Sequence, residues 1–306
     1  MRASRPVRAV FIANLIAQMA FVVTGAIVRL TGSGLGCPTW PECVEGSYVP
    51  TARQAEAWHK YVEFGNRLLT FILVILAVAA IVAVLIDRAQ RRRAGQPTRP
   101  ALVLLAFVPI AGTVAQAVLG GVTVLTGLHP ATVAAHFLLS MAIIAGCTAL
   151  VVRSGDPGDR PVVLLVRREI RWLTWALVAV SAAVVFVGTI VTGSGPHSGD
   201  ADAENRFSFD PRTVAWLHAD LVLLFLGMLI GLLVALHVTD APGRARRAAW
   251  VLLVVAVAQG VVGYTQYFTG LPIAAVTVHV VGAVVTWVLA LLLLAPQRTR
   301  GITAGA

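Results

Sequence analysis

Near residues 8–30, 61–86, 101–125, 131–153, 170–192, 212–237, 246–268 and 274–296 the chain is apolar for long enough to cross a lipid bilayer. A spanning helix needs about 20 such residues. The runs are continuous rather than alternating, which favours helices over barrel strands. Inside hydrocarbon a helix satisfies its own backbone hydrogen bonds, so this solvent restricts the chain to few solutions. Only 12% of the residues are charged, against about 25% in a soluble globule. The first run is too long for a secretory signal and lacks a small-residue cleavage site. These constraints predict an all-α integral membrane protein with eight transmembrane helices.

The basic residues orient it. Arg2, Arg5 and Arg8, the run Arg88, Arg91, Arg92, Arg93 and Arg99, then Arg153, Arg160, Arg167, Arg168 and Arg171, then Arg244, Arg246 and Arg247, and finally Arg298 and Arg300 fall at the termini or in even-numbered connections. That is 18 of the 24 lysines and arginines, the others being Arg29, Arg53, Lys60, Arg67, Arg206 and Arg212. The positive-inside rule therefore predicts cytoplasmic termini and a multi-pass protein of the cell membrane. A net charge of +10 could suggest nucleic acid. Here the arginines are scattered over short loops, which topology explains without such a partner.

The chain also repeats. Residues 115–140 read AQAVLGGVTVLTGLHPATVAAHFLLS, and residues 258–283 read AQGVVGYTQYFTGLPIAAVTVHVVGA, with ten of 26 positions identical. The matches include the Thr-Gly-Leu turn and His136 against His279. Likewise AIVRLTGSG at 26–34 matches GTIVTGSG at 188–195, and a long outer loop follows each. A fixed-period match signals duplicated architecture. The prediction is two pseudo-symmetric four-helix bundles, residues 1–153 and 154–306, related by an axis along the membrane normal.

Polar residues recur at one depth. Asn66 and His218 lie early in the helices after the long outer loops, and His136 and His279 about two turns into the helices after Thr-Gly-Leu. At 1.5 Å per residue all four sit roughly 10 Å below the outer surface. An intramembrane histidine either hydrogen-bonds across helices or has a functional task. Two facing imidazoles, as His218 and His279 could provide, can hold a haem iron axially. A tetrahedral zinc site would need carboxylates or thiolates that this depth lacks. In the first half Asn66 stands where His218 would be. Its helix, WHKYVEFGNRLLT, carries His59, Glu63, Asn66 and Arg67 on one face. His59 and Lys60 are accounted for by a polar interfacial first turn. Glu63, between Val62 and Phe64, is a functional candidate by its depth. His129, His197 and His237 read as solvated or interfacial, although His129 is seven residues before His136 on the same side. Arg29, Arg67 and Arg212 either snorkel to the outer interface or pair with acidic groups of a bound haem.

Cys147 reads as a packing residue. Cys37 and Cys43, in GLGCPTWPECVEG, lie in the first outer loop, where a disulfide is permitted. The spacing leaves a structural staple and a redox role both open. The second outer loop has no equivalent pair.

Taken together, VRLTGSGLGCPTWPEC (28–43), EFGNRLL (63–69), the two Gln-x3-Gly…Thr-Gly-Leu…His segments and WLHAD (216–220) resemble the heme A synthase family over nearly the whole chain. The resemblance implies an oxidoreductase of heme A biosynthesis. Such an enzyme oxidises a methyl group of heme O to a formyl group by successive hydroxylations and loss of water. It implies a heme b cofactor on His218 and His279, heme O as substrate near His136, Asn66 and Arg67, a catalytic Glu63, and a Cys37–Cys43 pair in the outer loop. The metal ligands are then His136, His218 and His279. Many family members carry a histidine three residues after the glutamate, whereas this chain has Asn66. The options for the first-half iron are His136 alone, a second ligand from His59 or His129, or water held by Asn66 and Glu63; an open or water-bearing position best suits a substrate that enters and leaves. Heme O synthase and cytochrome oxidase assembly factors are candidate partners on the same resemblance, and an oligomer is left open. A diheme electron-transfer protein without substrate conversion is the alternative.

Overall fold

A computed structural model describes residues 3–197, 199–200 and 205–300. Arg2 and part of the second long outer loop lie outside the described residues. Nine helices are found among those residues: α1 (Arg5–Leu30), α2 (His59–Arg93), α3 (Pro100–Ala106), α4 (Val108–Leu125), α5 (Pro130–Ser154), α6 (Arg168–Ser194), α7 (Pro211–Val238), α8 (Gly243–Phe268) and α9 (Ile273–Leu292). They make eight spans, because α3 and α4 share one, Pro100–Leu125. The chain is thus a multi-pass helical membrane protein. The expected third span is broken at Phe107. Pro109 explains the break, since it has no N–H and its ring clashes with the carbonyl four residues back.

Helix ends follow the turn chemistry of the sequence. Pro130 and Pro211 open α5 and α7 at the first turn, where a missing N–H costs nothing. Asp210 caps α7 by accepting from the Thr213 N–H at 2.8 Å and its hydroxyl at 2.6 Å, which holds its carboxyl below the usual carboxylate range. The duplicated Thr-Gly-Leu turns fold alike. Gly127 and Leu128 have φ of 60° and 57°, and Gly270 and Leu271 have 78° and 60°. Two consecutive left-handed residues reverse the chain at each site, and the leucine N–H reaches back to Thr123 O or Gln266 O.

Helix α1 packs on α2 and α5, and α4 on the same two; α7 packs on α6 and α8, and α9 likewise on α6 and α8. Helix α5 also meets α6 and α9, and α1 meets α9. Leu15, Val22, Ile144, Cys147, Val284 and Val288 fill the seam of α1, α5 and α9. Across it the Trp287 indole N–H donates to Met141 O at 2.9 Å. Many apolar side chains point outward, as lipid rather than water is the outer solvent.

On the face with the basic loops, α2 runs seven residues beyond the predicted end at 86. Asp87 and Arg91 form a buried ion pair there at 2.7 Å. The connection between α5 and α6 is pinned to the C-terminal segment. A short strand β1 (Val163–Leu164) pairs antiparallel with β2 (Arg298–Thr299). Asp156 accepts from Arg153 at 2.8 Å and Arg298 at 3.0 Å. The predicted loop thus carries a two-residue ladder that its sequence did not signal.

Removing one partner of a buried ion pair leaves the other charge unpaired, at a cost of about 3–5 kcal/mol. Asp87→Ala is therefore expected to lower the thermal unfolding midpoint sharply, and the double change Asp87→Leu with Arg91→Leu to recover most of it. A double variant no more stable than Asp87→Ala would contradict this account.

Candidate functional site

Three imidazoles enter the bundle by the same device. His136 of α5, His218 of α7 and His279 of α9 each lie six or seven residues from the start of their helices. Each packs its Cε1–Nδ1 edge against a glycine of the preceding span. A Cβ on Gly120 would stand 3.0 Å from His136 Cε1, one on Gly188 3.2 Å from His218 Cε1, and one on Gly263 3.5 Å from His279 Cε1. The glycines give each ring room against the helix behind it. All three Nδ1 atoms are buried without a hydrogen-bond partner.

The rings of His218 and His279 face each other, with centroids 6.5 Å apart and planes 70° apart. With metal–nitrogen bonds of about 2 Å and about 1.1 Å from nitrogen to ring centre, two imidazoles on opposite sides of one metal stand about 6.2 Å apart. The observed separation fits a single iron held between them. No cluster of three or more His, Cys, Asp or Glu is found among the described residues, so this donor set suits a haem, whose macrocycle fills the remaining positions, better than zinc.

The first half differs. Gln116 of α4 donates to His136 O at 2.9 Å and to Ser140 Oγ at 2.6 Å, fixing α4 against α5 beside the imidazole. Its repeat partner Gln259 turns into the slot left by Gly282, where a Cβ would stand 1.7 Å from its Nε2. Asn66 of α2 has its Oδ1 buried and unpartnered.

Glu63, one turn outward from Asn66, is buried and fully engaged. Its Oε2 accepts the Cys37 N–H at 2.7 Å. Its Oε1 accepts from Arg67 Nε at 3.1 Å and Nη2 at 2.6 Å. Arg67 also donates to the carbonyls of Cys37 at 2.8 Å, Thr39 at 3.0 Å and Glu42 at 3.1 Å. Cys37 and Cys43 form a disulfide and are fully buried. One carboxylate, one guanidinium and one disulfide thus knot the loop onto α2. The Trp40 ring of that loop covers Gly121 of α4, next to the glycine that backs His136.

The remaining sequence candidates act in the loops. Lys60 is buried rather than interfacial and donates to Thr51 O at 2.8 Å and Gln54 O at 3.4 Å. His59 Nδ1 bonds Ser33 Oγ at 2.8 Å and the ring stacks on Trp58. Arg29 donates to His197 O and Thr192 O, each at 2.9 Å, tying α1 to the second outer loop. His197 itself meets Leu271 O at 3.0 Å. His129 caps α5, His237 bonds Leu233 O at 2.7 Å, and Arg212 is exposed at the start of α7. Sequence reasoning did not single out Gly120, Gly188, Gly263 and Gln116 as parts of the site. The repeated Gln-x3-Gly spacing was the signal for Gly120, Gly263 and Gln116, whereas Gly188 has Val184 in place of the glutamine.

A family model described as cytochrome oxidase assembly protein (COX15-CtaA) matches residues 8–291. The chain belongs to this family. Among curated relatives of this cytochrome oxidase assembly family member, the heme A synthase of Lysinibacillus sphaericus is 29% identical over 184 residues, covering 59% of this chain and 56% of that protein. The heme A synthase of Halalkalibacterium halodurans is 29% identical over 180 residues, 58% of this chain and 56% of its own length. That of Symbiobacterium thermophilum is 29% identical over 202 residues, 62% and 60% respectively. The chain thus spans a little over half the length of the curated relatives it matches.

Arg67 carries a testable structural role. Lysine can keep a charge beside Glu63 but not the fork that reaches three carbonyls. Arg67→Lys is expected to raise amide hydrogen exchange across 37–43 by roughly tenfold, about 1.4 kcal/mol of lost protection. Unchanged exchange would show that the disulfide alone holds the loop.

Proposed function

We propose that this chain is a heme A synthase, an oxidoreductase that converts a methyl group of heme O to the formyl group of heme A. The observation that carries the reading is the broken symmetry of the two halves. The second pairs His218 with His279 at 6.5 Å, and the first keeps His136 with Asn66 in the matched position. A diheme electron carrier would need no such difference and no engaged Glu63.

The halves are read as residues 1–153 for substrate and 154–306 for cofactor, which the packing of α1, α2, α4 and α5 and of α6 to α9 supports. His218 and His279 would hold a heme b, which would supply one-electron redox chemistry there. His136 holds the substrate iron from one side, and Asn66, with its free Oδ1, leaves the other side open to water. With water as the oxygen source the net change is R–CH3 + H2O → R–CHO plus four protons and four electrons, through two two-electron hydroxylations and loss of water, the electrons passing to an external electron acceptor. Glu63 takes up a proton or positions water beside that carbon. The Cys37 N–H and Arg67 fix the position of its carboxyl group. Arg67, committed to the loop, serves the substrate by holding this lid rather than by gripping its acidic groups. Trp40 and the disulfide loop exclude bulk water from the outer end of α4.

The protein is placed in the cell membrane with both termini in the cytoplasm, on the charge asymmetry of its loops. Heme O synthase, which would supply the substrate, and oxidase assembly factors, which would receive the product, are its proposed partners.

The test is to express the chain with a source of heme O and chromatograph the extracted haems. Heme A is expected with the wild type and is expected to vanish with Glu63→Gln, while bound haem stays near wild-type levels. Bound haem without any heme A in the wild type would favour the electron carrier. Full conversion by Glu63→Gln would remove that residue from the chemistry.

A further inference from the structure

We infer that the start of α6 binds one anionic phospholipid of the leaflet on the basic face, its phosphate taken by Arg168 and Arg171. A cleft of about 580 Å3 lies there, lined by Leu164, Arg168, Arg171, Trp172 and Trp175. The four α6 residues are spaced i, i+3, i+4 and i+7, which places them on one helix face. Glu169, the acid nearest in sequence, is off that face by about 100°. Asp156 and Asp159, the acids of the preceding connection, are engaged by Arg153 and, for Asp156, also by Arg298. The cleft therefore presents two guanidinium groups with no acid of its own.

Its walls are those of a lipid site rather than an ion site. Trp172 is 62% exposed and Trp175 47%. The Arg171 guanidinium lies 5.7 Å from the centre of the Trp175 ring. It gives one Nη1 hydrogen bond to Leu294 O at 2.5 Å, and guanidinium has five N–H donors in all. Val162, Val163, Leu164 and Leu165 run consecutively through the neighbouring connection and are all exposed. A loop in water would not present four apolar residues in a row between Arg160 and Arg167. At the headgroup boundary such a segment buries its side chains among acyl chains while the flanking arginines meet phosphates. The β1–β2 ladder and the Asp156 ion pairs hold this segment in place beside α6, so the cleft is built rather than incidental. Basic pockets at this level of the bilayer are suited to anionic headgroups. Leu164, Trp172 and Trp175 would line the first part of an acyl chain, a contact free phosphate cannot use.

The experiment reads tryptophan fluorescence of the full-length chain in nanodiscs of phosphatidylcholine. These contain a minor fraction of either brominated phosphatidylglycerol or brominated phosphatidylcholine. The anionic bromolipid is expected to quench more strongly. Arg168→Gln, at an exposed side chain that packing does not need, is expected to cut that excess by at least half. Arg168→Lys is expected to keep most of it, and Trp172→Phe with Trp175→Phe to abolish it. Inorganic phosphate in the buffer should leave it unchanged. Equal quenching by both bromolipids, an Arg168→Gln protein indistinguishable from wild type, or loss of the excess on adding phosphate would each overturn the proposal.

Discussion

Inside a helical bundle a ring can cross to the neighbouring helix only where that helix has no side chain. This steric condition sets the position of the three intramembrane histidines. Gly120, Gly188 and Gly263 each meet the Cε1–Nδ1 edge of an imidazole. A methyl group at Gly120 or Gly188 would stand within 3.0 to 3.2 Å of that ring, closer than ordinary carbon contacts of about 3.5–4.0 Å. The glycines cost helix propensity, about 1 kcal/mol each against alanine. What they permit is a ring packed closely against its backing helix. In the second half two such rings converge, and in the first only one is present.

The outer loops complete this asymmetry. Both halves reverse through the same Gly-Leu turn, yet only the first carries a disulfide and an Arg67–Glu63 clasp. The second outer loop is instead tied down by Arg29 from the other half and by the contact of His197 with Leu271. The sequence repeat is thus matched in the Gly-Leu turns and not in the outer loops. A carboxylate held by a backbone N–H and a guanidinium has a fixed position, which the role proposed for Glu63 requires.

Much of this was legible in the sequence because lipid enforces a simple rule. Long apolar runs located all eight spans within a few residues, except where Asp87 and Arg91, paired and buried, let α2 continue to Arg93. The repeat put His136 and His279 at equal depth, and Asn66 against His218, before any coordinates. Pro109 was visible but not read as a break, because hydropathy is blind to a missing N–H. The roles of Lys60, Arg67 and Arg29 were not legible. Lys60 bonds carbonyls of the loop that folds back on its own helix, and Arg67 and Arg29 bond carbonyls far along the chain; no local pattern encodes which loop folds back over which helix. The Gln-x3-Gly repeat is visible as a motif, but its meaning lies in the ring packed against the glycine.

The central claim is that His218 and His279 together hold one iron, whereas His136 holds its own without a second histidine. Electron paramagnetic resonance of the oxidised, haem-loaded protein tests it most directly. Imidazole planes crossed at 70° predict a low-spin ferric signal with one widely displaced g value, lost in His218→Ala and in His279→Ala and retained in His136→Ala. A low-spin signal that survives loss of His218 or His279, or that disappears with His136, would contradict the assignment.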